Sequence, residues 1–381
     1  MSTTDGKSGA SGPLASGKAW AEFCDGLKAA GQDILRPTAP KSEIDLAEGH
    51  RYLTEMLRSA FELIFVAGNP ADPALCVNLG AGLKSGWDNP DNLHHNATLR
   101  GHYTYRLSGT RGDAHYFSIG VYAGSYTKGG SRLIAFVEVD DLEIDDDGRF
   151  EIVLSAEEHP GNWIRLEPDT TSVMLRQIFW DRPRERPAEL TLERIDGSDR
   201  PRPLDAATTT AAFKRVIGMI RGTNQIIFDW ADRFRERPNE LLPGDAEANE
   251  RLQGIPDQKL AGGWWEISSE QAILIEFIAP RCRYWSFVLS NYWGQSLDYE
   301  RNRIHVNDHS AERGAEGTVT LVIAHRDPEL PGANWLDTAG HAGGVWQFRW
   351  LAPESDAVEI PKPRVVEWAS IANRDARSGT T

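Results

Sequence analysis

The spacing of apolar residues changes along the chain, and each change predicts a change of element. Lys18 to Leu35 carries Trp20, Phe23 and Leu27 at helical spacing, and Glu43 to Val66 repeats the pattern with Leu53, Leu57, Phe61 and Ile64. Residues 18–99 therefore read as a helical N-terminal region. From about Arg100 the period falls to two, as in Tyr103, Tyr105 and Leu107 and then Tyr116, Ser118, Gly120 and Tyr122, which predicts a first β module over 100–200. Helical spacing returns between Asp205 and Leu241, with Phe213, Val216, Ile220, Ile227 and Phe234 along one side, so 201–261 reads as a connecting helix and loop. Strand periodicity resumes over 262–352 as a second β module, and 353–381 is a tail punctuated by proline.

The two strand-rich regions repeat one another. Tyr116-Phe117-Ser118 matches Tyr284-Trp285-Ser286, and Gly148 before Phe150 to Leu154 matches Gly317 before Val319 to Ile323. Pro160-Gly161-Asn162-Trp163 then matches Pro331-Gly332 and, after one inserted Ala, Asn334-Trp335, and Leu175-Arg176 matches Phe348-Arg349. Short strands repeated as two units predict an α+β, mainly β chain: two jelly-roll-like antiparallel β-sandwich repeats, a helical N-terminal region and a long connecting helix.

The stretch from Cys282-Arg283-Tyr284-Trp285-Ser286-Phe287 through Asn291-Tyr292-Trp293 and Ser296-Leu297-Asp298-Tyr299 to Asn334-Trp335-Leu336-Asp337 and Phe348-Arg349-Trp350 resembles the family called domain of unknown function 1214. The resemblance covers Gly262 to Ala352, with the earlier repeat as a divergent copy. It implies a jelly-roll-like β fold of the kind found beside a second β domain in bacterial proteins, and brings no catalytic residue set. Larger relatives carry a partner domain at the N-terminus, a pattern from which the helical Lys18 to Val66 departs.

Composition narrows the function classes. The 381 residues carry 41 Lys and Arg against 56 Asp and Glu, a formal net charge of −15, and such a surface repels a polyanion, so no nucleic-acid partner is expected. No apolar run approaches a membrane span; Phe61 to Gly68 is far too short. Met1 to Gly17 lacks an export signal and reads as a disordered lead. Cys24, Cys76 and Cys282 are odd in number and far apart, which fits reduced thiols in a cytoplasmic protein.

Polar residues gather in three loops. Trp87-Asp88-Asn89-Pro90-Asp91, followed by His94, His95 and His102, reads as an Asx turn or as a substrate lid in which Trp87 gives an apolar face and Asp91 or a histidine a hydrogen bond. Adjacent strand residues face opposite ways, so His94 and His95 do not readily share an ion, and no metal is expected. Asn291, Trp293, Ser296, Asp298, Tyr299 and Asn302 combine aromatic faces with fixed polar groups, and Asp298 beside Tyr299 forms an acid/base pair if its carboxyl rises towards neutrality. Alternatively Trp293 caps the core and Asp298 anchors a turn. The third loop holds His325, Trp335, Asp337 and His341; its first-repeat counterpart holds Glu157, Glu158, His159, Asn162 and Trp163. Features present in both copies, Asn-Trp and the later Arg176 and Arg349, are better explained by architecture, and residues that break the repeat are better functional candidates.

GxGxxG after a strand, GxxxxGK[ST] and GxSxG are absent, so no nucleotide cofactor or serine-hydrolase chemistry is expected. Cys282 between Arg281 and Arg283 reads as a structural thiol rather than an activated one. The expectation is a cofactor-independent lyase, isomerase or hydrolase acting on a small hydroxylated or aromatic molecule in a cleft between the modules. Its catalytic candidates are Asp298, Tyr299, His325, Asp337 and His341; its substrate-binding candidates are Trp87, Asp91, Tyr105, Asn291, Trp293, Trp335 and Arg349. The alternative is a non-catalytic carbohydrate-binding module using Trp293 and Trp335 as stacking platforms. The sequence leaves the oligomeric state open.

Overall fold

The computed structural model describes residues 12–372 apart from 81, 126 and 198–203. Most of the expected lead and the end of the tail therefore lie outside the described residues. Helix α1 (Lys18–Asp33) and helix α2 (Glu43–Phe61) form the N-terminal region, and Ser42 caps α2 by accepting the Asp45 N–H at 3.2 Å. Gly26 of α1 lies where any side chain would meet Ile217, and Gly49 of α2 where one would meet the Trp293 ring; only glycine permits these approaches.

The first module contains β1 (Cys76–Leu79), β2 (Asn92–Thr98), β3 (Tyr105–Thr110), β4 (Tyr116–Ser125), β5 (Gly130–Glu138), β6 (Arg149–Ser155), β7 (Trp163–Arg165), β8 (Thr170–Ile178) and β9 (Glu189–Arg194). They form a five-stranded sheet ordered β1-β2-β8-β4-β5 and a four-stranded sheet ordered β7-β6-β3-β9. After helix α3 (Ala206–Arg235) come β10 (Leu242–Pro243), helix α4 (Ala246–Arg251), β11 (Gln258–Glu266), β12 (Gln271–Ile278), β13 (Tyr284–Ser290), β14 (His305–Asn307), β15 (Thr318–Ala324), β16 (Ala333–Asp337), β17 (Gly343–Leu351), β18 (Arg364–Glu367) and helix α5 (Trp368–Ala372). The second module repeats the first: β10-β11-β17-β13-β14 opposes β16-β15-β12-β18. Each sandwich is antiparallel except for one parallel pair, β6 with β7 and β15 with β16.

The registers match the repeat residue by residue. Ser118 faces Arg176 across β4 and β8, and Ser286 faces Arg349 across β13 and β17. The Asn-Trp motif is architectural, as its presence in both copies implies. Asn162 accepts the Glu143 N–H and donates to the carbonyls of Glu143 and Glu151; Asn334 accepts the Glu312 N–H and donates to those of Glu312 and Thr320.

Two element boundaries differ from the sequence reading. The first module starts before Arg100, because β1 and β2 are short and rich in Asn and His, which hides their period. The 353–381 segment is not only a tail: β18 pairs with β12, and Ile371 packs against Ala272 and Leu274.

Within each sandwich alternate residues fill the core, with Phe117, Ile119 and Leu175 in the first and Trp285, Phe287 and Phe348 in the second. The other faces of the two five-stranded sheets turn towards each other, where Tyr116, Ile178, Ile255, Tyr284 and Leu351 pack together. Helix α3 has 30 residues, about 45 Å at 1.5 Å per residue, and its Val216, Ile220, Ile227 and Phe228 bind α1, α2 and the second module into one apolar cluster. Among the described residues no helix is long and apolar enough to cross a membrane.

Asn334 is fully buried whereas Asn162 is half-exposed. Asn334→Ala removes a fully buried side chain together with its bonds to the Glu312 and Thr320 backbone and should cost about 1–3 kcal/mol in chemical denaturation, with Asn162→Ala costing clearly less.

Candidate functional site

Between the two modules lies a cavity of about 560 Å³, in the range of small-molecule sites. Strands β2 and β8 bring residues to it from the first module and β11 and β17 from the second, with α2, α3 and α4 closing it. One part of its wall is apolar, with Met56, Met174, Met219, Ile227, Trp230 and Phe234; the other carries Asp88, Asn89, His94, Arg176 and Arg349.

Two arginines anchor the polar wall. Arg176 donates Nη1 to the Tyr122 hydroxyl at 3.0 Å and Nη2 to the Gln253 carbonyl, while Arg349 donates Nη2 to the Trp87 carbonyl. Trp87 lies five residues before Asn92, which opens β2, and Gln253 five residues before Gln258, which opens β11. Both accepting residues have left-handed backbone, φ 54° at Trp87 and 64° at Gln253, a conformation that costs a non-glycine residue about 1 kcal/mol or more. The contact is thus reciprocal: the arginine of each module is held by a strained carbonyl that precedes the equivalent strand of the other. Neither arginine forms an ion pair among the described residues, and Arg349 Nη1 has no partner among them. Burial lowers the Arg349 pKa to about 10, which leaves it charged at neutral pH.

The rest of the wall breaks the repeat. His94 faces Arg176 in the β2–β8 register, and Leu260 faces Arg349 in the equivalent register, so His94 and Leu260 are counterparts at an offset of 260 − 94 = 166 residues. By that offset Asp88 corresponds to Gly254 and Asn89 to Ile255. Burial, with added repulsion from Arg176 and Arg349, pushes His94 well below its ordinary value, so the imidazole is neutral, and neither ring nitrogen has a partner among the described residues. Asp88 accepts the Ser296 N–H at 2.8 Å and the Ser296 hydroxyl at 2.7 Å; burial pushes its carboxyl up against these bonds and the nearby Lys84. Asn89 donates to the Tyr284 hydroxyl at 2.7 Å and to Ser286 at 3.1 Å, and Trp87 stacks on Trp230 with centroids 5.4 Å apart.

Of the sequence candidates, Trp87 and Arg349 line this cavity. Asp91 sits behind it, fixed by the Tyr284 hydroxyl at 2.6 Å, Asn307 at 2.9 Å and His305 at 3.2 Å. The remaining catalytic and binding candidates lie elsewhere. Asp298 is a correction: Arg301 binds it at 2.7 Å and holds its carboxyl below the ordinary value instead of raising it. Tyr299 packs under Lys84, whose ammonium is 4.4 Å from the ring centre. Tyr105 is in the core of the first sandwich and bonds to the Pro70 carbonyl. Trp293 is fully buried between helices, with its indole N–H on the Asp45 carbonyl, and offers no stacking face. Trp335 bonds to the Ala324 carbonyl in the cluster that contains Ile371 and Trp368.

His325, Asp337 and His341 share one end of the second module. Thr338 bonds to His325 through its hydroxyl and to His341 through its carbonyl, and the Asp337 side chain accepts the Ala339 N–H. His341 then pairs with Glu48 of α2 at 2.9 Å, and Glu48 also accepts from Asn291 at 2.7 Å. This network attaches α2 to the sandwich and accounts for both residues structurally. Cys282 is unactivated, its thiol pushed up to about 11 by burial.

The sequence places Asp88 and Asn89 in the candidate lid loop without a role of their own, offers His94 among the histidines that could give the lid a hydrogen bond, and reads Arg176 as architectural. The available signal was an arginine in the apolar centre of a strand, Val173 to Arg176 and Trp346 to Trp350, found twice.

Burial opposes charge on His341, but Glu48 outweighs it and raises the pKa; burial likewise opposes charge on Glu48, and His341, Asn291 and Arg51 lower its pKa. The histidine contribution is complete below its ordinary 6.5 and is lost as pH rises through the raised value; the glutamate contribution is complete above its ordinary 4.5 and is lost as pH falls through the lowered one. His341→Ala should therefore cost about 3 kcal/mol near pH 5.5 and markedly less at pH 9, as read from denaturant midpoints.

The model of the family described as "Protein of unknown function (DUF1214)" matches residues 91–179 and 266–355, one copy in each module. An uncharacterised protein of Burkholderia cenocepacia of known crystal structure is 39% identical, with a TM-score of 0.89 over 94% of this chain and 99% of that one. A Vibrio parahaemolyticus protein is 11% identical, with a TM-score of 0.49 over 90% of this chain and all of its own. No curated protein matches the chain. With both modules matched, and with the Burkholderia protein alike over nearly the whole length, the chain belongs to the DUF1214 family.

Proposed function

We propose that the protein is a cofactor-independent enzyme, a lyase, isomerase or hydrolase, that acts on a small molecule in the cavity between its modules. One observation carries the reading. Asn78, Trp87, Asn92, His94, Thr223 and Arg349 all line that cavity, and each has a buried polar atom with no partner among the described residues. Buried polar groups are normally satisfied, so such a concentration among the residues of one partly apolar cavity is what a ligand of mixed polarity would complete.

His94 is the proposed proton acceptor: its imidazole is neutral and both its ring nitrogens are without a partner among the described residues. Asp88 is the proposed positioning group, since Ser296 occupies both its oxygens. The stacked pair Trp87 and Trp230 would meet the ligand body on one side. The free thiols Cys24, Cys76 and Cys282 fit a reducing, cytoplasmic setting. The carbohydrate-module alternative has less support, because Trp293 is fully buried and Trp335 is half-buried against the cluster of Ile371, away from the cavity.

Met219→Trp should fill the apolar side of the cavity and abolish thermal stabilisation by ligands that raise the melting temperature of the unaltered protein. Ligands that stabilise the variant equally well would locate binding elsewhere and defeat the reading. On any ligand that is turned over, His94→Gln should lower kcat at least 100-fold with little change in KM.

A further inference from the structure

Granting that the cavity is the ligand site, the geometry points to the class of ligand, and we propose that it takes an organic monocarboxylate with an apolar body, its carboxylate bonded to Arg349 and its body against the methionine and tryptophan wall.

Arg176 and Arg349 are 3% and 8% exposed and form no ion pair among the described residues. A buried cation left without an anion is costly, and folds normally place a carboxylate beside it. The nearby carboxylates are committed: Asp88 to Ser296, and Asp91 to Tyr284, Asn307 and His305. Neither spends an oxygen on an arginine.

The two arginines are not equivalent. The fork of Arg176 is engaged by Tyr122 and Gln253, so it contributes field rather than a free bond. Arg349, a residue of the cavity lining, spends Nη2 on Trp87, and its buried Nη1 has no partner among the described residues. A planar carboxylate matches that group in shape and charge. His94 nearby is neutral and so does not compete for an anion, and Leu260 in the equivalent place of the other module has no hydrogen-bonding group at all.

The apolar wall sets the rest of the ligand. Met56, Met174 and Met219 are adaptable, and Trp87 and Trp230 are rigid and flat, a combination that accepts an aromatic or a branched aliphatic body.

The test is calorimetric titration of the full chain with phenylacetate and octanoate and with 2-phenylethanol and 1-octanol as neutral counterparts. The acids should bind at least tenfold more tightly than the alcohols, and Arg349→Met should remove that preference by lowering acid affinity at least tenfold while alcohol affinity holds. Arg349→Lys, which keeps the charge and loses the fork, should lie between; it also serves if the Met variant does not fold. Equal binding of acids and alcohols, lost in Met219→Trp, would overturn the carboxylate assignment and leave the cavity reading standing. Acid binding that survives Met219→Trp, or binding by none of the four, would overturn both.

Discussion

Two buried guanidinium groups, each bonded to a backbone carbonyl from the opposite module, fix how the sandwiches meet, and the cavity is a product of that meeting. A charged donor on a carbonyl is stronger than a neutral one, and the interior strengthens it further. The strained backbone at Trp87 and Gln253 is the local cost of aiming those carbonyls. Everything on the polar wall is placed relative to this frame: Asp88 and Asn89 follow Trp87 directly, and His94 sits across the ladder from Arg176.

Helices complete what the sheets begin. Two sandwiches docked face to face leave a gap wherever their twisted sheets diverge, and α3 closes it with Ile227 and Trp230 while α2 adds Met56. The attachment of α2 depends on polar bonds rather than on apolar packing alone. Glu48 reaches His341 and Asn291, and Glu55 accepts from Gln295 at 2.7 Å. Residues whose chemistry looked catalytic in the sequence are here the fastenings of a helix.

The fold was legible because its signals are periodic and local. Alternation marked the strands from Tyr103 onward, the long helix carried an uninterrupted apolar stripe, and the two copies announced themselves through Asn-Trp and the strand arginines. The site was legible only in fragments. Trp87 and Arg349 were named, but nothing in the spacing of residues 87 and 349 says that one bonds to the other, since the contact spans 262 positions. Proton-exchanging groups clustered in sequence proved to be partners of nearby backbone and of Arg301, whereas the groups that converge come from four separate strands and one loop. Departures from the repeat also occur on the strand faces, where His94 stands against Leu260, and not only in the loops.

The reciprocal clasp has the symmetry of an isologous contact, in which the same two positions meet twice with their owners exchanged. That is the arrangement two separate copies of a single module would adopt as a homodimer, with two identical half-sites facing one gap. Joining the copies in one chain removes the requirement that both halves stay the same. The first module holds a histidine, an aspartate and an asparagine where the second holds Leu260, Gly254 and Ile255. A cleft of symmetric outline thereby has two chemically different sides.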